Sequence, residues 1–334
     1  MKNKNYSNLN VKNPKNKINI AKHKIKQKIK LIKTKTIKIG DTIKSINFFK
    51  NLNFLVLTNK EYRIYSPKFA LIKTYNLKNE IQEIKIIDDE NFNCLFNYEQ
   101  YANINIKNNK IVKLINFGRN DIKYIKHYKK SIIAISNWNT IFIWENIKKN
   151  KYQFITKIEL GSDDENILVY EQNDILIQCC YDNLFIYNLK RNKVDLISKD
   201  LIFNDAIPFY ENNILFLNGG YEGNECYFTA LIIYNIKEKK ITKNKKFDIY
   251  FNIGEVNATD LIKYYSKKDV IILCGGKNRV YNNIYIYDRD FNLIQTLEKV
   301  HYGNILGLTF YERGTNDLIL SYSEDGEINF YSIN

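Results

Sequence analysis

Proline is nearly missing from this chain, with three in 334 residues beside 13 glycines. That excludes collagen-like and proline-rich classes. Alanine, the best helix former, survives at scattered positions such as Ala102 and Ala134, which weighs against a helical bundle. No apolar run reaches the roughly 18 residues of a membrane-spanning helix. The five cysteines (Cys94, Cys179, Cys180, Cys226 and Cys274) are odd in number and form no CxxC pair. Neither a disulfide framework nor a zinc site is expected, and a reducing, intracellular compartment is. G-x-S-x-G, P-loop, G-x-G-x-x-G and H-E-x-x-H motifs are all absent. The three histidines, His23, His127 and His301, lie far apart. Cys179 and Cys180 fall in a predicted strand, where successive side chains face opposite ways and cannot share a metal. Asp163, Asp164 and Glu165, after Ser162, read as a solvated loop. No catalytic set, metal or cofactor is expected, and the chain is read as a non-enzyme.

Acidic residues are also missing from one region. Residues 1–40 hold 13 lysines and no Asp or Glu, leaving 38 basic and 36 acidic side chains in 41–334, so the net charge of +15 sits almost wholly at the front. The 45 lysines to 6 arginines reflect an AT-rich coding composition; position, not abundance, carries the argument. Residues 1–22 lack hydrophobic periodicity and are expected to be a flexible arm. Its candidate contacts to RNA or another polyanion are Lys2, Lys4, Lys12, Lys15, Lys17, Lys22 and Lys24. The arm has no apolar core, unlike a secretory signal, and no arginine, unlike a mitochondrial presequence. Cytoplasm or nucleus is therefore expected ahead of mitochondria. From Lys24, lysine alternates with Ile, Leu or Thr, which predicts a strand over about 28–39 with apolar groups on one face and ammonium groups on the other.

What is abundant is strand-forming: 26 Tyr, 19 Phe and many Ile. A short apolar segment, marked by a terminal aromatic in all but the second, where Ile106 stands, recurs as EYRIYS (61–66), YANINI (101–106), NTIFIWE (139–145), DNLFIYN (182–188), ALIIYN (230–235), NNIYIYD (282–288) and GEINFYS (326–332). Each is flanked by further apolar strands, as SIIAIS (131–136) and YQFITKIEL (152–160) flank the third. A four-strand period of about 44 residues predicts propeller blades, whose sheets bury their faces only against neighbours. The expected architecture is all-β, a seven-bladed β-propeller of four-stranded antiparallel blades over 23–334. The last group has three strands, so segment 28–39 is expected to close it as the outer strand.

The final 34 residues, HYGNILGLTFYERGTNDLILSYSEDGEINFYSIN, resemble a WD repeat. That resemblance implies a buried structural tetrad of His301, Ser321 or Ser323, Asp325 and Tyr331, with Tyr in place of the usual Trp. ILFLNGG (214–220) and VIILCGG (270–276) make two other blades similar to kelch repeats. Tyr311-Glu312-Arg313-Gly314 lacks the first arginine of the paired-arginine phosphoinositide motif that it resembles, so no headgroup clamp is expected. Trp138 and Trp144 are read as blade-packing aromatics.

The resemblance implies a scaffold, monomeric as a propeller, that docks protein partners within a multi-subunit complex. The lysine arm adds a ribonucleoprotein, whether ribosomal, ribosome-assembly or splicing, because counterion release needs no ordered pocket. The competing expectation is a protein-only adaptor, such as a substrate receptor or assembly factor, whose tail only solubilises or targets.

Overall fold

The computed structural model describes residues 29–118, 120–128, 130–136, 140–148, 151–159, 166–170, 175–180, 183–188, 193–199, 203–222, 225–250, 261–277, 280–313 and 317–334. Every regular element among them is a β-strand. β1 (Leu31–Lys38) comes first. β2 (Ile43–Phe48), β3 (Phe54–Thr58), β4 (Glu61–Tyr65) and β5 (Leu71–Asn76) pair in chain order as one antiparallel sheet. The next is β6 (Ile81–Ile86), β7 (Asn91–Phe96), β8 (Gln100–Asn105) and β9 (Lys110–Asn116). β10 (Ile122–Tyr128), β11 (Ser131–Ser136), β12 (Thr140–Lys148) and β13 (Lys151–Glu159) form the third. β14 (Asn166–Tyr170), β15 (Ile175–Cys180), β16 (Asn183–Asn188) and β17 (Lys193–Lys199) form the fourth.

A wider sheet follows. It holds β18 (Phe203–Pro208), β19 (Asn213–Glu222), β20 (Glu225–Asn235) and β21 (Lys240–Tyr250), then β23 (Val270–Lys277), β24 (Val280–Asp288) and β25 (Leu293–Leu297), with β22 (Ile262–Tyr265) paired beside β23. Finally β26 (Ile305–Tyr311), β27 (Leu318–Ser323) and β28 (Glu327–Ile333) take β1 as their outer strand. Innermost strands touch in succession, β2 to β6, β10, β14, β18, β22 and β26, and β26 returns to β2. The arrangement is a β-propeller.

The expectation of seven blades is corrected. There are six, five of four strands and one of eight. Strand length is the cause. β22 has 4 residues and covers only Val270 to Leu273, so β23 outruns it, and the 11-residue β21 reaches the vacant edge, where Tyr250 pairs with Gly276. Gly276 has no side chain to hold the second backbone off. A sequence period counts strands and does not register such a lateral merger.

The core lies between sheets. β3 and β27 are buried along their whole length, and Phe54, Val56, Leu320, Ile328 and Phe330 form one inter-sheet cluster. Each such side chain contributes about 1.5–3 kcal/mol relative to exposure. Outer strands stay wet: Leu71, Ile72, Ile111, Phe154 and Leu293 are each about half exposed. The marker aromatics Tyr65, Trp144, Tyr234 and Tyr287 all sit where the ladder to the fourth strand slips by one residue, a bulge that adds local twist.

The expected one-sided alternation of β1 also needs correction. Its ladder to β28 slips between Lys33 and Lys35. Leu31 and Lys33 therefore face one way, Lys35 and Ile37 the other, and only Leu31 is buried.

Candidate functional site

The densest polar cluster lies inside the last sheet. The segment after β25 delivers His301, 3% exposed, against β27 and β28. Its Nε2 lies 2.7 Å from Ser321 Oγ, and its Nδ1 lies 3.3 Å from Asp325 Oδ2. Ser321 Oγ is in turn 3.5 Å from Tyr331 Oη. These four residues are brought together. Ser323 plays a separate part, its hydroxyl accepting the Asp325 N–H at 3.3 Å.

Asp325 is placed by the β27–β28 turn, which Gly326 makes possible at φ 72°. A Cβ on Gly326 would come within 2.9 Å of the Asp41 backbone nitrogen. The Asp325 carboxylate accepts the N–H of Tyr302 at 2.9 Å and of Glu327 at 2.8 Å. Burial alone would raise its pKa; the Glu327 N–H, the His301 ring and the Tyr302 N–H outweigh that and hold it below the usual carboxylate value. Burial pushes the His301 pKa down against the pull of Asp325. The ring is therefore neutral at neutral pH, with Nδ1–H assigned toward the carboxylate and Nε2 accepting from Ser321. Burial raises the Tyr331 phenol to about 12.

One buried member escaped the sequence reading. Asn329, fully buried, donates through Nδ2 to Val300 O at 2.7 Å and accepts at Oδ1 from Thr36 Oγ1 at 2.6 Å. It ties β1, β28 and the 300–304 segment together. The available signal was a lone amide between Ile328 and Phe330 in an apolar strand.

The Ser321–His301–Asp325 connectivity is that of an acyl-transfer triad. Ser321, however, has no exposed surface, so no substrate carbonyl can meet its hydroxyl. His301, Asp325 and Glu327 also hold ligand atoms within 4.8 Å of one another. Their capacity is already used: His301 Nδ1 faces Asp325, and Glu327 pairs with Lys38 at 3.1 Å.

The other candidates disperse. Lys2, Lys4, Lys12, Lys15, Lys17, Lys22 and Lys24 lie outside the described residues, as do His23, Trp138, and Ser162 through Glu165. His127 Nε2 sits 3.2 Å from Tyr101 Oη in another blade. Trp144 is half-buried, with Phe117 and Phe154 rings at 4.9 and 5.4 Å. Cys94 and Cys274 are buried, and burial raises both thiol pKa values, so neither is a ready nucleophile. No helix among the described residues is long and apolar enough to cross a membrane. No protein-family model and no curated protein sequence matches the chain.

Proposed function

We propose that the protein is a WD-repeat-like scaffold that docks proteins on its propeller and a ribonucleoprotein through its lysine-rich front segment. A β-propeller suits protein interaction, since a rigid ring presents loops and outer strands on several sides. The observation that carries the reading is where the polar chemistry goes. The one Ser–His–Asp set found among the described residues is sealed in the last sheet, while apolar side chains stand exposed on the outer strands β5, β9, β13 and β25. In this reading the His301 network serves as the structural tetrad that WD repeats use. The 13 acid-free lysines in residues 1–40 supply the polyanion contact, and lysine favours phosphate neutralisation over base reading.

The second reading is a protein-only adaptor, favoured by those same apolar outer strands, which suit protein partners better than phosphate. Affinity purification from the native organism, with and without nuclease, separates the two. The scaffold reading expects RNA-bearing particles that nuclease releases, and that Gln at Lys2, Lys4, Lys12, Lys15, Lys17, Lys22 and Lys24 also releases. Protein partners that survive both treatments, with no RNA recovered, refute it in favour of the adaptor.

A further inference from the structure

Two hairpins of the propeller end on the same turn. Between β4 and β5 the Ser66 N–H donates to Ala70 O at 2.9 Å and the Phe69 N–H to Ser66 O at 2.8 Å. Between β24 and β25 the Asp288 N–H donates to Asn292 O and the Phe291 N–H to Asp288 O, both at 2.9 Å. Each turn holds a phenylalanine in the left-handed region, Phe69 at φ 66° and Phe291 at φ 64°, where bulky residues are rare. Each ring also receives a lysine from a neighbouring outer strand. Lys243 Nζ of β21 stands 4.6 Å from the Phe291 centroid, and Lys35 Nζ of β1 stands 4.7 Å from that of Phe69.

The twins differ in charge. Asp290 Oδ1 lies 3.4 Å from Lys243 Nζ, so the Phe291 turn carries its own counter-ion. The equivalent residue before Phe69 is Lys68. A second cation joins there: the Arg313 guanidinium is 5.9 Å from the Phe69 centroid and 5.3 Å from that of Tyr311. Among the described residues no carboxylate makes an ion pair with the Lys35 or Arg313 side chain; Asp317 accepts the Arg313 backbone N–H at 2.9 Å through Oδ1, and its Oδ2 is engaged by Lys267 and Tyr265. Lys35 reaches this side because of the bulge in β1, which turns it away from the face of Leu31 and Lys33. Phe69 itself is anchored edge-on against the buried Phe330, with centroids 4.6 Å apart. Like charges gathered on one ring without a side-chain counter-ion repel, and an external anion would relieve that repulsion.

We infer that the notch of Lys35, Lys68 and Arg313 on the Phe69 turn binds backbone phosphate of single-stranded RNA. Lys35 belongs to the acid-free first 40 residues, so a polyanion held by the front segment is led along β1 into the notch. Arg313 offers a planar fork to phosphate and the lysines add point charges. The inference rests on the polyanion part of the proposed function.

The test is a titration of the full chain with a fluorescent oligouridylate over a range of salt. K35Q/R313Q is expected to flatten the slope of log K against log salt by about 1.4, two contacts at roughly 0.7 each. Lys68→Asp, which copies Asp290 of the twin, should weaken RNA binding while raising the melting temperature. It decides the matter if the double variant fails to fold. Lys243→Gln, in the twin, should change nothing. An unchanged slope in K35Q/R313Q overturns the notch; if Gln at the seven front lysines then abolishes binding, the front segment alone is the site. Loss in K35Q/R313Q with binding intact in the seven-lysine variant upholds the notch and refutes the arm. A parent chain that ignores RNA at low salt overturns the notch as an RNA site, including when it binds vesicles containing phosphorylated inositol lipids.

Discussion

At the residue scale, the last sheet depends on a few polar side chains that apolar neighbours seal from water. Removing the Asp325 carboxylate strands the Tyr302 and Glu327 N–H groups and one face of His301. Asp325→Ala is expected to cost about 1–3 kcal/mol, measured by denaturant unfolding; a change near zero would make Asp325 an ordinary solvated turn residue. The pH dependence has a definite sign. His301 and Asp325 both have folded pKa values below their ordinary 6.5 and 3.8. The unfolded chain therefore takes up protons first, and stability is full above those values and lost as pH falls through the folded ones. Melting temperature should decline from about pH 6.5 downward and again below about pH 4. His301→Gln should remove the upper decline and leave the lower. His301, Ser321, Asp325 and Tyr331, which the fold brings together, were named through the WD-repeat resemblance. The Thr36–Asn329 contact was not, since it joins side chains 293 positions apart.

At the element scale, periodicity reported strands well because all but one of the third-strand segments end on an aromatic at a recurring position, from Tyr65 to Tyr331, with Ile106 in its place in the second. Strand ends and bulges were hidden: no residue type in KTK at 33–35 announces the slip that sends Lys33 and Lys35 to opposite faces. β1 is tied to its sheet by few buried side chains, so its hold is mostly backbone pairing and polar clamps. Gln295 supplies one, accepting the Leu31 N–H at 2.8 Å and donating to Leu31 O at 3.2 Å. Gln295→Ala should cost about 1–3 kcal/mol by leaving that peptide pair without its side-chain partner. Deleting residues 1–22 should preserve one cooperative melt. Deleting 1–40 removes β1, bares the edge of β28 and should cause aggregation, seen by light scattering; equal behaviour of the two truncations would contradict a closing role for β1.

At the scale of the whole molecule, the merger of β21 with β23 makes one blade twice as wide as the others. A hydrophobic cluster runs from Leu215 and Leu231 through Ile272 and Ile286 to Leu308 and Ile319, crossing from that wide blade into the last sheet. These parts should unfold together, in a single calorimetric transition whose van't Hoff and calorimetric enthalpies agree; a separate early transition would show that the wide blade is a distinct unit. The pairing of β1 with β28 has a further consequence, in time. Leu31 is made long before its partner Ile333, so β1 waits without its ladder while the intervening strands are synthesised. Contacts across so long a loop form late. The exposed lysines of β1 act throughout that wait, because a charged edge repels the edges of other nascent chains. Ring closure then waits on β28: a chain released before it can fold several blades but leaves β1 unpaired.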